Sequence, residues 1–165
     1  MVETKLKWID GERFAATASS GHATVIDSDR DRNTASGPME FVLMGLCGCT
    51  ATDVVSILRK KREPFTALEV HAEAERAQQP PTVYTSIHLI FTISGQVSRK
   101  AAEDAVRLSQ EKYCGVAAML RSTATITTEI RLLARENVPP GRPRAREIVK
   151  PVVTKWNLMD GWGKE

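Results

Sequence analysis

The sequence predicts an α+β fold in which an antiparallel sheet packs against one long central helix. Three observations carry that prediction. The run from Phe41 to Leu58 is apolar on nearly every face and sits behind a helix-start signal. The stretch "FTALEVHAEAER" alternates, with Leu68, Val70, Ala72 and Ala74 against Glu69, His71, Glu73 and Glu75, the period of a strand with one buried and one wet face. The extended and helical segments follow one another in the order β, helix, β, helix, β. With 165 residues, of which 42% are hydrophobic and 26% charged, the chain has the makings of a single core.

The first 27 residues read as short strands: "KLKWID", "RFAATASS" and "HATVID", divided at Gly11 and Gly21, which permit turns. Residues 28–37 are polar and read as a loop. At the start of the long helix, Gly37 is an acceptable N-cap, Pro38 suits the first helical position, and Glu40 favours the positive helix end. The helix is expected to run to about Arg62, because Glu63 precedes Pro64 and is biased away from helical backbone. A bilayer span needs ~20 predominantly apolar residues, whereas this run contains Asp53, Ser56, two threonines and two glycines. A helix covered on most sides by sheet or by a second subunit fits it better than a membrane span.

After Pro64, "FTALEVHAEAER" and "TVYTSIHLIFTISG" flank the turn-like "AQQPPT" and should form a hairpin. Ser98 then caps a second helix, "RKAAEDAVRLSQEKYC", whose apolar positions recur near helical spacing. Gly115 is expected to break it, with "VAAML" as a short turn and "ATITTEIRLL" as the last strand. Residues 1–135 therefore read as the domain. Residues 136–165 form a Pro/Arg-rich tail whose Trp156 and Trp162 suggest docking on the body or on a partner subunit.

Charge narrows the functional classes. Of the net +3, the tail's six Lys/Arg against four acids account for most, leaving +1 for residues 1–135. A body without a large basic excess has no warrant for nucleic-acid binding. "MVETKLKWID" has neither a basic n-region nor an apolar h-region, and three cysteines is an odd number. We therefore expect a cytoplasmic protein with reduced thiols, in which a disulfide would be transient and catalytic rather than a staple.

The stretch "GLCGCT" places Cys47 and Cys49 two positions apart in the apolar helix. Such positions point about 200° apart, so the pair cannot jointly grip a metal or bond to each other in an intact helix. Zinc takes about four clustered ligands, and His22, His71 and His88 are scattered without ligand spacing. No metal or cofactor is expected, and His22 reads as an ordinary strand histidine. Each cysteine is then either a packing residue, as free Cys commonly is, or a reactive thiol.

The segments "GPMEFVLMGLCGCTATDVVSILRKKR" and "LSQEKYCGVAAML" make the chain resemble the OsmC-like family, which includes the organic hydroperoxide resistance proteins. The family's helix-start proline, its cysteine eleven residues on and its second cysteine near the end of a later helix match Pro38, Cys49 and Cys114. The resemblance covers about residues 1–133 and is nearest the branch carrying "PME" and "EKYC". It implies an intertwined homodimer with two sites at the subunit interface, and thiol-dependent reduction of organic hydroperoxides. In that scheme Cys49 is oxidised to a sulfenic acid, Cys114 condenses with it to a disulfide, and an external dithiol restores both.

The resemblance also implies an arginine that activates Cys49, which lies too far into the helix to benefit from its N-terminus. Arg13 is its nearest counterpart, and Arg30 and Arg32 are rivals. The hydroperoxide resistance enzymes carry a glutamate directly after the helix-start proline, where this chain has Met39. Glu40, one residue on, stands either as a substitute acid or as simple charge complementation of the helix end. Asp53, one turn after Cys49, would raise a thiol's pKa and reads as a hydrogen-bonding or subunit-contact residue. Met39 keeps open a dimeric protein that binds a small apolar ligand with vestigial cysteines; a cysteine redox sensor is a third possibility.

Overall fold

The computed structural model describes residues 1–133; the tail at 136–165, with Trp156 and Trp162, lies outside the described residues. The order is β1 (Thr4–Asp10), β2 (Arg13–Ala18), β3 (Ala23–Asp27), α1 (Pro38–Lys60), β4 (Phe65–Arg76), β5 (Tyr84–Gly95), α2 (Arg99–Leu108), a π-helical turn (Ser109–Tyr113), α3 (Gly115–Leu120) and β6 (Thr125–Leu133). This is the expected α+β sequence of elements, with the strands divided between two sheets of three, β1-β2-β3 and β4-β5-β6.

The expectation of a purely antiparallel sheet needs correction. β1-β2, β2-β3 and β4-β5 are antiparallel, but β6 runs parallel to β5, with Ile87 opposite Ile126 and Phe91 opposite Ile130. The reason is the connection. A short turn returns the chain antiparallel, whereas the α2–α3 segment between β5 and β6 is a crossover long enough to bring it back in the same direction.

α1 begins as its sequence predicts. Gly37 is the N-cap, Pro38 opens the first turn, and Glu40 Oε2 accepts the Gly37 backbone N–H at 2.7 Å. The helix stops at Lys60, two residues short of expectation, with Arg62 in the left-handed region at φ 58°. Leu46, Thr50, Val54 and Leu58, four apart, are its wholly buried face. They meet Ile87, Leu89, Phe91 and Ile93 of β5 and Ala101, Ala102, Ala105 and Val106 of α2 in one core.

α1 is apolar all round, with mean hydropathy 1.9 over an 18-residue window, yet only 22% of that window is buried. The opposite stripe, Met44, Gly48, Thr52 and Ser56, is exposed. Cover on most sides is therefore not supplied by the described residues of one chain.

The N-terminal sheet is equally uncovered. Register places Trp8 beside Phe14 and Phe14 beside Ile26, with Leu6 beside Ala16, so one face is apolar. Trp8 is nevertheless 62% and Leu6 53% exposed.

At the other end of β5, Gly95 has φ +122°, and a Cβ there would meet the Pro64 carbonyl oxygen at 2.4 Å. Only glycine fits that close crossing.

Candidate thiol site

The buried stripe of α1 fixes the helix's rotation, and with it the places of Cys49 and Asp53, one turn apart beside that stripe. Thr50 turns its hydroxyl back onto the Leu46 and Cys47 carbonyls at 3.0 and 3.1 Å, so its polar atom is satisfied inside the core.

The second half of the site comes from the end of α2. The predicted helix through Cys114 is interrupted: α2 ends at Leu108, a π turn follows, and Cys114 is the N-cap of a separate helix, α3, where a short turn was expected. The turn closes when the Cys114 N–H donates to the Ser109 carbonyl at 2.8 Å, a five-residue reach that stacks Cys114 over Ser109. Ser109 is fully buried and its hydroxyl donates to Asp53 Oδ2 at 2.9 Å, tying the turn to α1.

The outcome is a cluster of three groups. The sulfurs of Cys49 and Cys114 and a carboxylate oxygen of Asp53 all lie within 4.8 Å of one another. Two thiols 65 positions apart in the sequence thus come within 4.8 Å of each other, whereas a disulfide brings its sulfurs to about 2.05 Å. Cys47 is outside the cluster, packed half-buried against the core with its thiol pushed up by loss of solvent.

Cys114 is almost completely buried. Burial first, and then hydrogen bonding and repulsion from Cys49, push its thiol up to about 11, outweighing the stabilising Ala117 N–H that its sulfur accepts at 3.3 Å. At neutral pH it is therefore a protonated thiol.

The cluster offers three ligand atoms, two sulfurs and one carboxylate oxygen, where a closed zinc site takes about four, and we assign no metal to it. His22 and His71 are exposed, and His88 is bound to Thr127 at 2.8 Å.

The arginines lie elsewhere in the chain. Arg13 forks onto Asp10 through Nε at 2.7 Å and Nη2 at 2.6 Å, and Arg32 reaches the same carboxylate at 3.5 Å. The Arg13 guanidinium holds the Asp10 carboxyl below its ordinary value. Arg30 lines a cavity of about 580 Å³ at the start of α1 together with Met39, Glu40 and Arg76. Glu40 is engaged as the N-terminal cap, and the Met39 carbonyl accepts the Tyr84 hydroxyl at 2.8 Å.

Sequence reasoning missed Asp10 and Ser109. Asp10 had a signal, since a turn at Gly11 brings residues i and i+3 together. Ser109 had none, because a π turn is not visible in helical periodicity.

The family model of OsmC-like proteins matches residues 31–129, a span that includes both thiols of the cluster. The chain belongs to the OsmC-like family. Protein YhfA of Escherichia coli K12 is 40% identical over 134 residues, covering 81% of this chain and 99% of YhfA. A hypothetical protein from Aquifex aeolicus VF5 superposes with a TM-score of 0.76 at 28% identity, covering 82% of this chain and 98% of that one. An organic hydroperoxide resistance protein OsmC from Legionella pneumophila gives a TM-score of 0.62 at 14% identity, over 79% of this chain and 96% of that one, a likeness of fold.

Proposed function

We propose that this protein is a cytoplasmic thiol peroxidase that reduces organic hydroperoxides, with Cys49 as the peroxidatic thiol, Cys114 as the resolving thiol and an external dithiol as reductant. The observation that carries the reading is the meeting of Cys49 and Cys114, within 4.8 Å of each other, on two separate helices. The thiolate of Cys49 attacks the distal peroxide oxygen, the O–O bond breaks, and the alkoxide leaves as an alcohol after taking a proton. Cys49 is left as a sulfenic acid, which Cys114 converts to a disulfide with loss of water.

The working form we propose is an intertwined homodimer. The exposed stripe of α1 and the exposed apolar face around Trp8 and Phe14 are two surfaces that a second copy would cover. Dimerisation also offers a route by which Arg13, Arg30 or Arg32 of either copy reaches Cys49 to lower its pKa, with Glu40 orienting the guanidinium from the start of α1.

Loss of organic hydroperoxide in the presence of a dithiol tests the reading. The wild type should turn over, Cys49→Ser should not, and Cys114→Ser should stop after one oxidation per site. Equal slow rates for wild type and Cys49→Ser would reject it.

One observation favours a second reading, binding of a small apolar ligand. A cavity of about 320 Å³ beside Asp53 is walled by Ile57, Leu108 and Tyr113. A ligand carried through purification and seen by native mass spectrometry, together with unreactive thiols, would favour it over catalysis.

A further inference from the structure

The peroxidase reading leaves a chemical difficulty at Cys114. A resolving thiol must attack as a thiolate, yet this one is the most deeply buried of the three cysteines and sits against another thiol. The remaining member of the cluster has no task in that scheme. Asp53 carries a carboxylate whose charge disfavours a neighbouring thiolate, which is the wrong influence for activating Cys49.

We propose that Asp53 is the general base of the resolving step: its carboxylate takes the proton from the Cys114 thiol as that sulfur attacks the oxidised Cys49. The inference rests on the peroxidase reading for its natural substrate, but the assignment concerns only proton transfer from Cys114.

The geometry suits the task. An Asp53 oxygen is within 4.8 Å of both sulfurs, a separation that one water or a small rotation closes, and catalytic hydrogen bonds tighten when the reacting species is in place. The carboxylate is held in place by the Ser109 hydroxyl, which donates to Oδ2 at 2.9 Å, and Ser109 belongs to the same π turn that positions Cys114. Base and thiol are therefore braced by one structural element. Asp53 also lines the 320 Å³ cavity shared with Lys60, Lys61 and Tyr113, which gives the released water a way out. Lys61 is already paired with Asp104 at 2.9 Å.

The step balances. The Cys114 sulfur forms a bond to the Cys49 sulfur, the Cys49 S–O bond breaks with its electron pair going to oxygen, and Asp53 delivers the proton to that oxygen as water leaves. Asp53 ends the step in the state in which it began. With the thiol's ordinary thiolate fraction suppressed at pH 7, a local base offers a contribution on the order of 100-fold or more.

The test avoids peroxide. In the full chain carrying Cys47→Ser, a chromogenic aryl disulfide reacts with Cys49 and releases one coloured thiolate; attack of Cys114 on the resulting mixed disulfide releases a second. The aryl thiolate needs no proton to leave, so the second release reads the activation of Cys114.

With Asp53 present the second release should be nearly independent of pH between about 7 and 9. Asp53→Asn should slow it on the order of 100-fold at pH 7, make it rise about tenfold per pH unit, and not slow the first release. Asp53→Glu should restore the flat profile. If Asp53→Asn does not fold, Ser109→Ala, which keeps the carboxylate but frees it, should slow the second release without changing its pH profile.

A second release as fast in Asp53→Asn as in the parent, or a parent profile already rising tenfold per unit, overturns the assignment. A chain that shows the predicted release behaviour but consumes no organic hydroperoxide keeps Asp53 as the base while rejecting the peroxidase reading.

Discussion

Leu46→Ala is the perturbation that most directly probes how the site is held. Leu46 is completely buried at the N-terminal end of the α1 stripe, packed with β5 and α2 in the core that sets the helix's rotation. Truncation loses the transfer free energy of the side chain and leaves a cavity, together about 3 kcal/mol and within a range of roughly 2–5. At 1.4 kcal/mol per tenfold, about 3 kcal/mol multiplies the unfolded fraction by more than 100, and for a domain of this size it lowers the melting temperature by about 6–12 °C.

Arg59, in the last turn of α1, is exposed and lies outside the apolar stripe, so Arg59→Ala should change the unfolding free energy by no more than about 1 kcal/mol. Urea unfolding of both variants at one fixed protein concentration, with an unchanged slope, makes the comparison. Equal costs for the two positions, or less than about 1 kcal/mol for Leu46→Ala, would refute the assignment of α1's buried face.

On the proposed dimer, Trp8→Glu, placing a charge on the exposed apolar face of the N-terminal sheet, should give a smaller mass than the wild type in light scattering while leaving the β4-β5-β6 core folded. Gly95→Ala, where φ is +122° and a Cβ would strike the Pro64 carbonyl, should destabilise by about 2 kcal/mol or more in the same urea assay. Asp27 is held below its ordinary value of 3.8, first by the Thr34 hydroxyl. It therefore contributes stability above the unfolded value that is lost as pH falls through the folded one, and Asp27→Asn should flatten the decline in stability below about pH 4. In the Cys47→Ser, Cys49→Ser, Asp53→Asn background, where no neighbouring base assists, alkylation of Cys114 should titrate well above the ordinary thiol range, because burial is the largest influence on it; a midpoint near about 8.5 would contradict that.

Much of this architecture was legible because local chemistry and tertiary demand agreed. Gly37, Pro38 and Glu40 announced α1, and Glu40 does cap it; the alternation of β4 announced its hairpin with β5. The parallel β6 was hidden because strand direction is set by the length of the intervening connection, not by the strand's own residues. The π turn and α3 were hidden for a related reason. Helical periodicity continues smoothly across Ser109, and the one-residue shift that joins Ser109 to Asp53 is a tertiary solution.

At the site, helical phase separated Cys47 from Cys49 without further information. Pairing Cys49 with Cys114 needed the family resemblance, since nothing in periodicity links positions 65 apart. Arg13 was visible as a charge but not as the partner of Asp10.

The central claim is that Cys49 and Cys114 form one redox pair. Its most direct test is to add one equivalent of an organic hydroperoxide to the fully reduced protein and map the products by mass spectrometry. The account predicts rapid loss of two thiols and a single Cys49–Cys114 disulfide, with Cys47 still reduced. Retention of all three thiols, or a disulfide involving Cys47, would contradict it.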